Sequence, residues 1–236
     1  MGRVRQTLEG LANLSLIVLT VMVITGRVPA VRGSGSAPLD PNAPIDPETA
    51  HVTAELPSYV PVPNQRVVLL EFFDFQCPFC DQFDKKTVGE LETKLVQTGK
   101  LAYVPVHFPL DAIHPEAVMA AQAAECANAH GKFRDMRKAL FANAKQLTEP
   151  NIINLAVELG ISKSVFTSCL ADESTKARVR QYMDLAESVG VVSTPTTMVG
   201  VAEPNSRRIR IQKTHRGAVS FSAIAATVDA VTKTLE

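Results

Sequence analysis

The sequence predicts an α/β fold in which a block of helices interrupts the sheet-forming parts of the chain. One observation is the unbroken apolar run Val67–Phe73, which is typical of a strand buried on both faces. A second is a helical pattern that continues over residues 114–189. A third is the return of strand-like sequence at Thr196–Val201 and Arg208–Gln212. The predicted order is therefore β–α–β, a helical block, and β–β–α.

The N-terminus resembles an export signal, because Arg3 and Arg5 precede the apolar segment Leu11–Ile24. The strictly apolar core is shorter than the roughly 20 residues that a spanning helix needs. Residues 8–31, which include Gly26 and Arg27, come nearer to a spanning segment, so we expect them to tether the protein to a membrane as a signal anchor. A cleaved signal peptide, with cleavage after Ala30, is the alternative. Either prediction places the protein outside the cytoplasm, in the periplasm or at the exterior of the cell envelope, where disulfides persist.

A proline-rich stretch without apolar periodicity follows and predicts a flexible linker, with a short edge strand at Ser58–Val62 after it. The predicted divisions are 1–32 for the signal anchor or signal peptide, 33–57 for the linker, 58–112 and 191–236 for the sheet domain, and 113–190 for the helical insertion.

The remaining elements follow from periodicity and stop signals. A helix is predicted from Phe79 to Thr98, ended by Gly99. A strand is predicted at Leu101–Val106, where Pro105 indicates an irregularity or an edge. Five helices are predicted in the insertion, over Ala117–Ala129, Lys132–Ala142, Pro150–Leu159, Lys163–Leu170 and Ser174–Val189. An apolar stripe predicts the closing helix Ser220–Leu235.

The composition argues against a nucleic-acid partner. The chain has 24 Lys and Arg residues against 24 Asp and Glu residues, so it carries no net basic charge to attract phosphates.

Cys77 and Cys80 form a CxxC pair at the junction of a buried strand and a helix. A thiolate is the attacking species in disulfide exchange, and the helix N-terminus favours negative charge on Cys77. Cys80 lies one turn further along and is the expected resolving thiol. Pro78 falls in the first turn, where its missing N–H is tolerated.

A zinc site is the alternative use of a CxxC pair. Zinc ribbons and fingers need a second closely spaced pair of ligands. Cys126 and Cys169 are far apart in sequence, and the histidines show no ligand spacing. We therefore expect no metal and no cofactor.

The segment Leu69–Cys80 resembles the active-site strand and helix start of the DsbA-like branch of the thioredoxin superfamily. The resemblance extends over about residues 58–236. It implies a thioredoxin fold with an inserted helical domain and the activity of a thiol-disulfide oxidoreductase. The Pro78-Phe79 dipeptide departs from the Pro-His of the strongest oxidases, where the histidine helps to stabilise the thiolate.

The resemblance also implies roles for individual residues. Glu71 matches a buried acid that moves protons when Cys80 attacks a mixed disulfide; the alternative is an acid that points to solvent. Thr194-Pro195 matches a cis peptide that lies against the dithiol and offers backbone to an extended substrate. Asp74 is predicted to be a turn residue.

Cys126 and Cys169 resemble positions that are bridged in the helical domain of some DsbA-like relatives. We expect a structural disulfide there, and two buried free thiols are the alternative.

Three functions are compatible with these features. The first is a dithiol oxidase that donates a disulfide to exported cysteine-containing polypeptides and is recycled by a membrane redox partner. The second is a reductase or isomerase of the same fold. The third, from another class, is a membrane-tethered polypeptide-binding module or holdase whose CxxC is static.

Overall fold

The computed structural model describes residues 52–58, 60, 61 and 63–236. The predicted signal anchor or signal peptide, including residues 8–31, and nearly all of the predicted linker lie outside these residues. Within the described part of the chain, no helix combines the length and the apolar character that a membrane crossing requires.

The elements alternate as the sequence predicts. The strands of the described residues are β1 (Thr53–Glu55), β2 (Val67–Phe73), β3 (Ala102–His107), β4 (Thr196–Ala202) and β5 (Arg208–Arg216). Helix α1 covers residues 78–96, with α-helical turns at Pro78–Phe83 and Gly89–Leu91 and wider π-helical turns at Asp84–Val88 and Glu92–Val96. The other helices are α2 (Ala117–Asn128), α3 (Phe133–Ala142), α4 (Glu149–Glu158), α5 (Lys163–Ala171), α6 (Glu173–Ser188) and α7 (Phe221–Lys233).

The strands form one mixed sheet in the order β1-β5-β4-β2-β3. β2 pairs in parallel with β3 and antiparallel with β4, so it is hydrogen-bonded along both sides. All seven residues of β2 are buried, which explains its continuous apolar sequence. Because β2 ends four residues before Cys77, the centre of the sheet positions the dithiol.

Helices cover both faces of this sheet. Val67 and Leu69 of β2 lie in one buried cluster with residues of α1 and α7. Val68 and Leu70, which point to the opposite face, lie in a second cluster with residues of α6. The sheet is therefore the middle of three layers.

A third buried cluster joins the sheet to the insertion. It contains Phe73 and Phe75 from the end of β2, both cysteines of the CxxC pair, and apolar residues of α2, α3, α4 and α5. The dithiol thus lies at the boundary between the sheet domain and the inserted helices.

The predicted α/β architecture with a helical insertion is confirmed, with α2–α6 lying between β3 and β4. Of the two alternatives for Pro105, an irregularity or an edge, the edge is confirmed, because β3 is the last strand of the sheet.

The edge strand predicted at Ser58–Val62 is not present at Ser58, Val60 and Pro61, which are the described residues of that segment. The strand is Thr53–Glu55, within the segment predicted as linker, and it pairs with β5. The Leu56 N–H still donates to Arg207 O at 2.9 Å, and the chain then turns away, because Val60 N donates to Pro57 O at 3.0 Å. The pairing therefore stops where the prediction began.

Candidate active site

Cys77 and Cys80 lie where the central strand leads into the first helix. Cys77 occupies the N-cap of α1 with extended backbone, and Pro78 is the first helical residue. The N–H groups of Cys80 and Asp81 donate to Cys77 O at 3.1 and 3.2 Å, which closes the first turn. Both cysteines are buried and carry free thiols, so the structure represents the reduced dithiol.

The Cys77 thiol is unusually acidic. Its pKa is lowered from an ordinary 9.0 to about 6, chiefly because the Cys80 thiol donates a hydrogen bond to the Cys77 thiolate. Burial opposes the shift, while the Thr194 hydroxyl and the N–H groups of Cys80 and Phe79 add to it. Among the described residues no hydrogen bond occupies that buried hydroxyl, so it is available to a Cys77 thiolate. At pH 7 Cys77 is therefore mostly a thiolate.

Cys80 is the opposite case, because its side chain has no exposed area. Burial, followed by the interactions with Cys77, raises the pKa of Cys80 far above the ordinary value. The Asp74 N–H lies 3.5 Å from Cys80 Sγ and favours the anion, but it does not outweigh these effects. The two sulfurs thus differ in kind: one is an anion and the other a protonated thiol.

Thr194 and Pro195 lie against the dithiol, although they follow it by more than a hundred residues. The peptide bond between them is cis, and both residues are buried immediately before β4. Thr194 O accepts a hydrogen bond from the protonated Cys77 thiol at 3.3 Å. The predicted pair is therefore assembled around Cys77.

Glu71 is fully buried within β2 and does not point to solvent. Arg137 of α3 donates through Nη2 to both Glu71 oxygens, at 2.9 and 3.0 Å. The Tyr103 hydroxyl on β3 donates to Glu71 Oε2. Arg137 Nε also donates to Asp84 Oδ1 at 2.6 Å. The Glu71 charge contributes to the raised pKa of Cys80, which places the carboxylate within electrostatic reach of the resolving thiol.

Arg137 and Tyr103 were not predicted from the sequence. Arg137 carried a signal, because it lies four residues after Phe133 and three before Leu140, on the apolar side of α3. A charged residue on such a face needs a buried partner, and Glu71 is that partner. Tyr103 gave no comparable signal in the sequence.

Asp74 is a turn residue, as predicted, because Asp74 O accepts a hydrogen bond from Cys77 N at 3.2 Å, and it also makes contacts outside the turn. Its carboxylate is buried and accepts hydrogen bonds from Gln76 N at 2.7 Å, Leu110 N at 2.8 Å and His114 Nδ1 at 2.7 Å. Asp74 therefore fixes the active-site turn to the loop after β3 while its own N–H faces Cys80.

Large apolar side chains are exposed around the dithiol. Phe79, between the two cysteines, is 60% exposed, and Val192, two residues before Thr194, is 77% exposed. Ile113 is 69% exposed on the loop that Asp74 holds. Exposed apolar residues at a reactive centre are typical of a surface that contacts another molecule.

A disulfide joins Cys126 of α2 to Cys169 of α5. Cys126 is fully buried, and the bridge lies in the cluster that the insertion shares with the dithiol. Among the described residues, no group of three or more His, Cys, Asp or Glu side chains is arranged to hold a metal ion.

Comparisons with known proteins give one family. A family model described as Thioredoxin matches residues 62–208. Among solved structures, alpha-DsbA1 from Wolbachia pipientis superposes with a TM-score of 0.60 at 20% identity, covering 73% of this chain and 92% of that one. BdbD from Bacillus subtilis superposes with a TM-score of 0.57 at 18% identity, covering 71% of this chain and 88% of that one. These likenesses show the fold.

Curated relatives are longer proteins. Na(+)/H(+) antiporter NhaA 3 of Salinispora tropica is 34% identical over 202 residues, which are 86% of this chain and 28% of that protein. Na(+)/H(+) antiporter NhaA 1 of Salinispora arenicola is 31% identical over 220 residues, which are 91% of this chain and 30% of that protein. The chain therefore spans less than a third of the length of these two relatives.

Proposed function

This chain belongs to the thioredoxin family, and from that premise we propose that it is a thiol-disulfide oxidoreductase that donates a Cys77–Cys80 disulfide to exported polypeptides. The observation that carries the proposal is the difference in acidity between the two thiols. An anionic Cys77 is a good nucleophile and a good leaving group. A protonated and buried Cys80 is protected from outside reactants, so it acts only within the protein.

The exchange would run in two steps. A substrate thiolate attacks Cys77 Sγ of the oxidised pair, the bond to Cys80 breaks, and the electron pair leaves on Cys80 sulfur, which takes up a proton. A second substrate thiolate then attacks the substrate sulfur of the mixed disulfide, and Cys77 leaves as a thiolate. Two electrons pass to the enzyme, and the substrate gains a disulfide.

Glu71 is proposed to handle the proton of Cys80 in both directions. It is a buried carboxylate within electrostatic reach of that thiol. A buried thiol far above its ordinary pKa needs a nearby base to lose a proton during catalysis.

The direction of exchange is supported by the acidity of Cys77. Because a stabilised thiolate stabilises the reduced enzyme, it makes the disulfide more oxidising. A thiol with a pKa of about 6 instead of 9.0 favours the reduced form at pH 7 by about 1.4 kcal/mol, or roughly 30 mV. That is a small part of the roughly 150 mV between thioredoxin and DsbA.

A reductase or isomerase of the same fold is therefore the second candidate, favoured by the small size of this effect. The reduction potential separates the two functions. A value near that of DsbA supports donation of the disulfide, whereas a value near that of thioredoxin, with poor oxidation of a reduced model protein, supports the reductase.

The proposed substrates are extended, cysteine-containing chains in transit through the cell envelope. Phe79, Val192 and Ile113 provide apolar contacts around Cys77, and the backbone of Thr194 faces the same sulfur. An extended chain can satisfy such backbone groups by pairing as an added strand.

An extracytoplasmic, membrane-tethered location is part of the proposal. The basic and apolar pattern of residues 3–31 supports it, and so does the Cys126–Cys169 bridge, since structural disulfides persist in oxidising compartments. The likeness to part of proteins named as antiporters is consistent with work at a membrane. A membrane redox partner would then reoxidise the dithiol.

Trapping tests the proposal. In cells that carry Cys80→Ala, mixed disulfides between Cys77 and exported proteins should accumulate, and Cys77→Ser in the same background should abolish them. If no adducts form and Cys77→Ser retains full activity in the cell, the alternative of a membrane-tethered polypeptide-binding module or holdase replaces exchange.

A further inference from the structure

We propose that Tyr103 is a positioning residue that connects the buried carboxylate of Glu71 to a cavity beside β3, and that the proton of Cys80 leaves the protein by this route. The inference rests on the proposed exchange reaction. It assigns a role to the Tyr103 hydroxyl and to the cavity, neither of which the exchange itself requires.

The relevant step is the release of a bound substrate by Cys80. Cys80 sulfur attacks Cys77 sulfur, the bond between Cys77 and the substrate breaks, and the electron pair leaves on the substrate sulfur. The Cys77–Cys80 disulfide forms, and the proton of Cys80 transfers to Glu71. Because Cys80 has no exposed area, this proton has no direct access to water.

The charges around Glu71 allow its carboxylate to accept a proton for the duration of the release step. Glu71 and Asp84 share a single guanidinium, that of Arg137, so these three groups together carry one negative charge. Protonation of Glu71 leaves a neutral Arg137–Asp84 pair. The site can therefore accept a proton without leaving a buried positive charge unbalanced, which would be costly.

The Tyr103 hydroxyl then offers an exit. It donates to Glu71 Oε2 in the structure, and a phenol is both a donor and an acceptor. Once protonated, Glu71 can donate to Tyr103 oxygen while the Tyr103 hydroxyl turns and donates to water. Burial keeps the pKa of Tyr103 well above 10, so Tyr103 passes the proton on as a neutral phenol.

The cavity provides the water. Tyr103 lines a cavity of about 420 Å³ at β3, the edge strand of the sheet. This volume is more than ten times the roughly 30 Å³ that one water molecule occupies, so the cavity can hold several waters. Asn64, Asn128 and Glu125 also line it and supply polar groups that hold water. Tyr103 thus belongs both to the buried charge cluster and to the cavity wall.

The test measures the release step alone. Cys77 is joined to a fluorescent cysteine peptide, and release of the peptide thiol by Cys80 is followed by stopped flow from pH 5 to 9. Tyr103→Phe, which removes only the hydroxyl, should slow release roughly tenfold at pH 7 and move the pH–rate profile to higher pH. Glu71→Gln should do the same, and the double variant should be no slower than Glu71→Gln, because both residues serve one route.

Tyr182→Phe is the matched control, since Tyr182 lines the same cavity from α6. It should release the peptide at the wild-type rate, and alkylation should give a Cys77 pKa of about 6 in every variant. Wild-type release by Tyr103→Phe would overturn the inference, and so would an additive loss in the double variant or a loss with an unchanged pH profile. Failure of the wild type to release any peptide would instead overturn the proposed function.

Discussion

The two cysteine pairs of this protein share one buried cluster but differ in almost every chemical property. Cys77 and Cys80 are neighbours in sequence and carry free thiols, whereas Cys126 and Cys169 are 43 residues apart and bonded. Exposure does not explain the difference, because Cys169 is more exposed than either cysteine of the CxxC pair.

The surrounding groups explain it instead. Cys77 caps a helix and faces the Thr194 hydroxyl and the Cys80 thiol, all of which stabilise an anion. Cys126 and Cys169 connect two helices of the insertion among apolar neighbours. The reactivity of Cys77 therefore follows from nearby hydrogen-bond donors and the helix N-terminus. The stabilising role of the Cys126–Cys169 disulfide follows from the length of the loop that it closes.

The largest expected effect separates the pairs by activity. Cys77→Ser should lower the oxidation rate of a reduced model protein at least a thousandfold, because the attacked sulfur is gone. The double variant Cys126→Ala/Cys169→Ala should keep the rate within about threefold at 25 °C. The assay is oxidative refolding with recovery of the model protein's activity. Equal losses of oxidation rate in the two variants would contradict the assignment of activity to the CxxC pair alone.

The same double variant should show the opposite ranking in stability. The bridge closes a loop of 43 residues in sequence separation, and the chain-entropy relation gives about 4 kcal/mol for such a loop. Urea unfolding should therefore show a fall of up to about 4 kcal/mol without the bridge. Cys77→Ser, measured at about pH 6 with the Cys126–Cys169 bridge intact, is the control. It should change far less, because little of the stabilisation by the Cys77 thiolate is present at that pH. A change below about 1 kcal/mol in the double variant would contradict a structural role.

A third prediction uses pH, to which only one pair should respond. Folding lowers the pKa of Cys77 from 9.0 to about 6. The Cys77 thiolate therefore stabilises the reduced folded protein fully above the pKa of the unfolded chain, and this stabilisation is lost as pH falls toward 6. The raised pKa of Cys80 acts in the opposite sense, and only above the ordinary thiol range. The clear window is therefore about pH 6 to 8.

Unfolding of the reduced wild type and of reduced Cys77→Ser should be compared across this window, with the Cys126–Cys169 bridge intact. The difference in free energy should grow with pH by at most about 1.4 kcal/mol per unit. A difference that is constant with pH would mean that Cys77 titrates like an ordinary thiol. The contribution of the bridge should not vary over the same range.

The smallest expected effect concerns the surface around the reactive pair. Val192→Ser should lower kcat/KM for an extended cysteine peptide about fivefold, since one exposed valine contributes about 1 kcal/mol when a partner covers it. Val157→Ser, on α4 of the insertion, is the matched control, because Val157 is also an exposed valine. Equal effects of the two changes would exclude Val192 from the contact surface.

The sequence was sufficient for the features that depend on local signals. The apolar run of β2, the CxxC pair at a helix start and the stop at Gly99 are each readable within a few residues. The wider π-helical turns of α1 were not predicted, since the apolar spacing there also fits an ordinary α-helix.

The contacts around the dithiol could not be predicted because they join distant residues. Glu71 meets Tyr103 and Arg137 across 32 and 66 positions, and Asp74 meets His114 across 40. Such contacts depend on how the insertion packs on the sheet, and local sequence patterns do not reveal that packing. The three-residue strand β1 was misplaced because its position depends on pairing with β5.

Proline interrupts both free edges of the sheet. Pro105 lies within β3, and Pro57 follows β1 by two residues, on the side of the chain that faces away from β5. Unfolded chains aggregate by adding strands to open edges, and a protein that handles such chains would be exposed to that hazard at every encounter. Because neither edge can offer a full row of donors, the sheet should resist the addition of strands from the proposed substrates, and such pairing could otherwise seed fibrous assemblies.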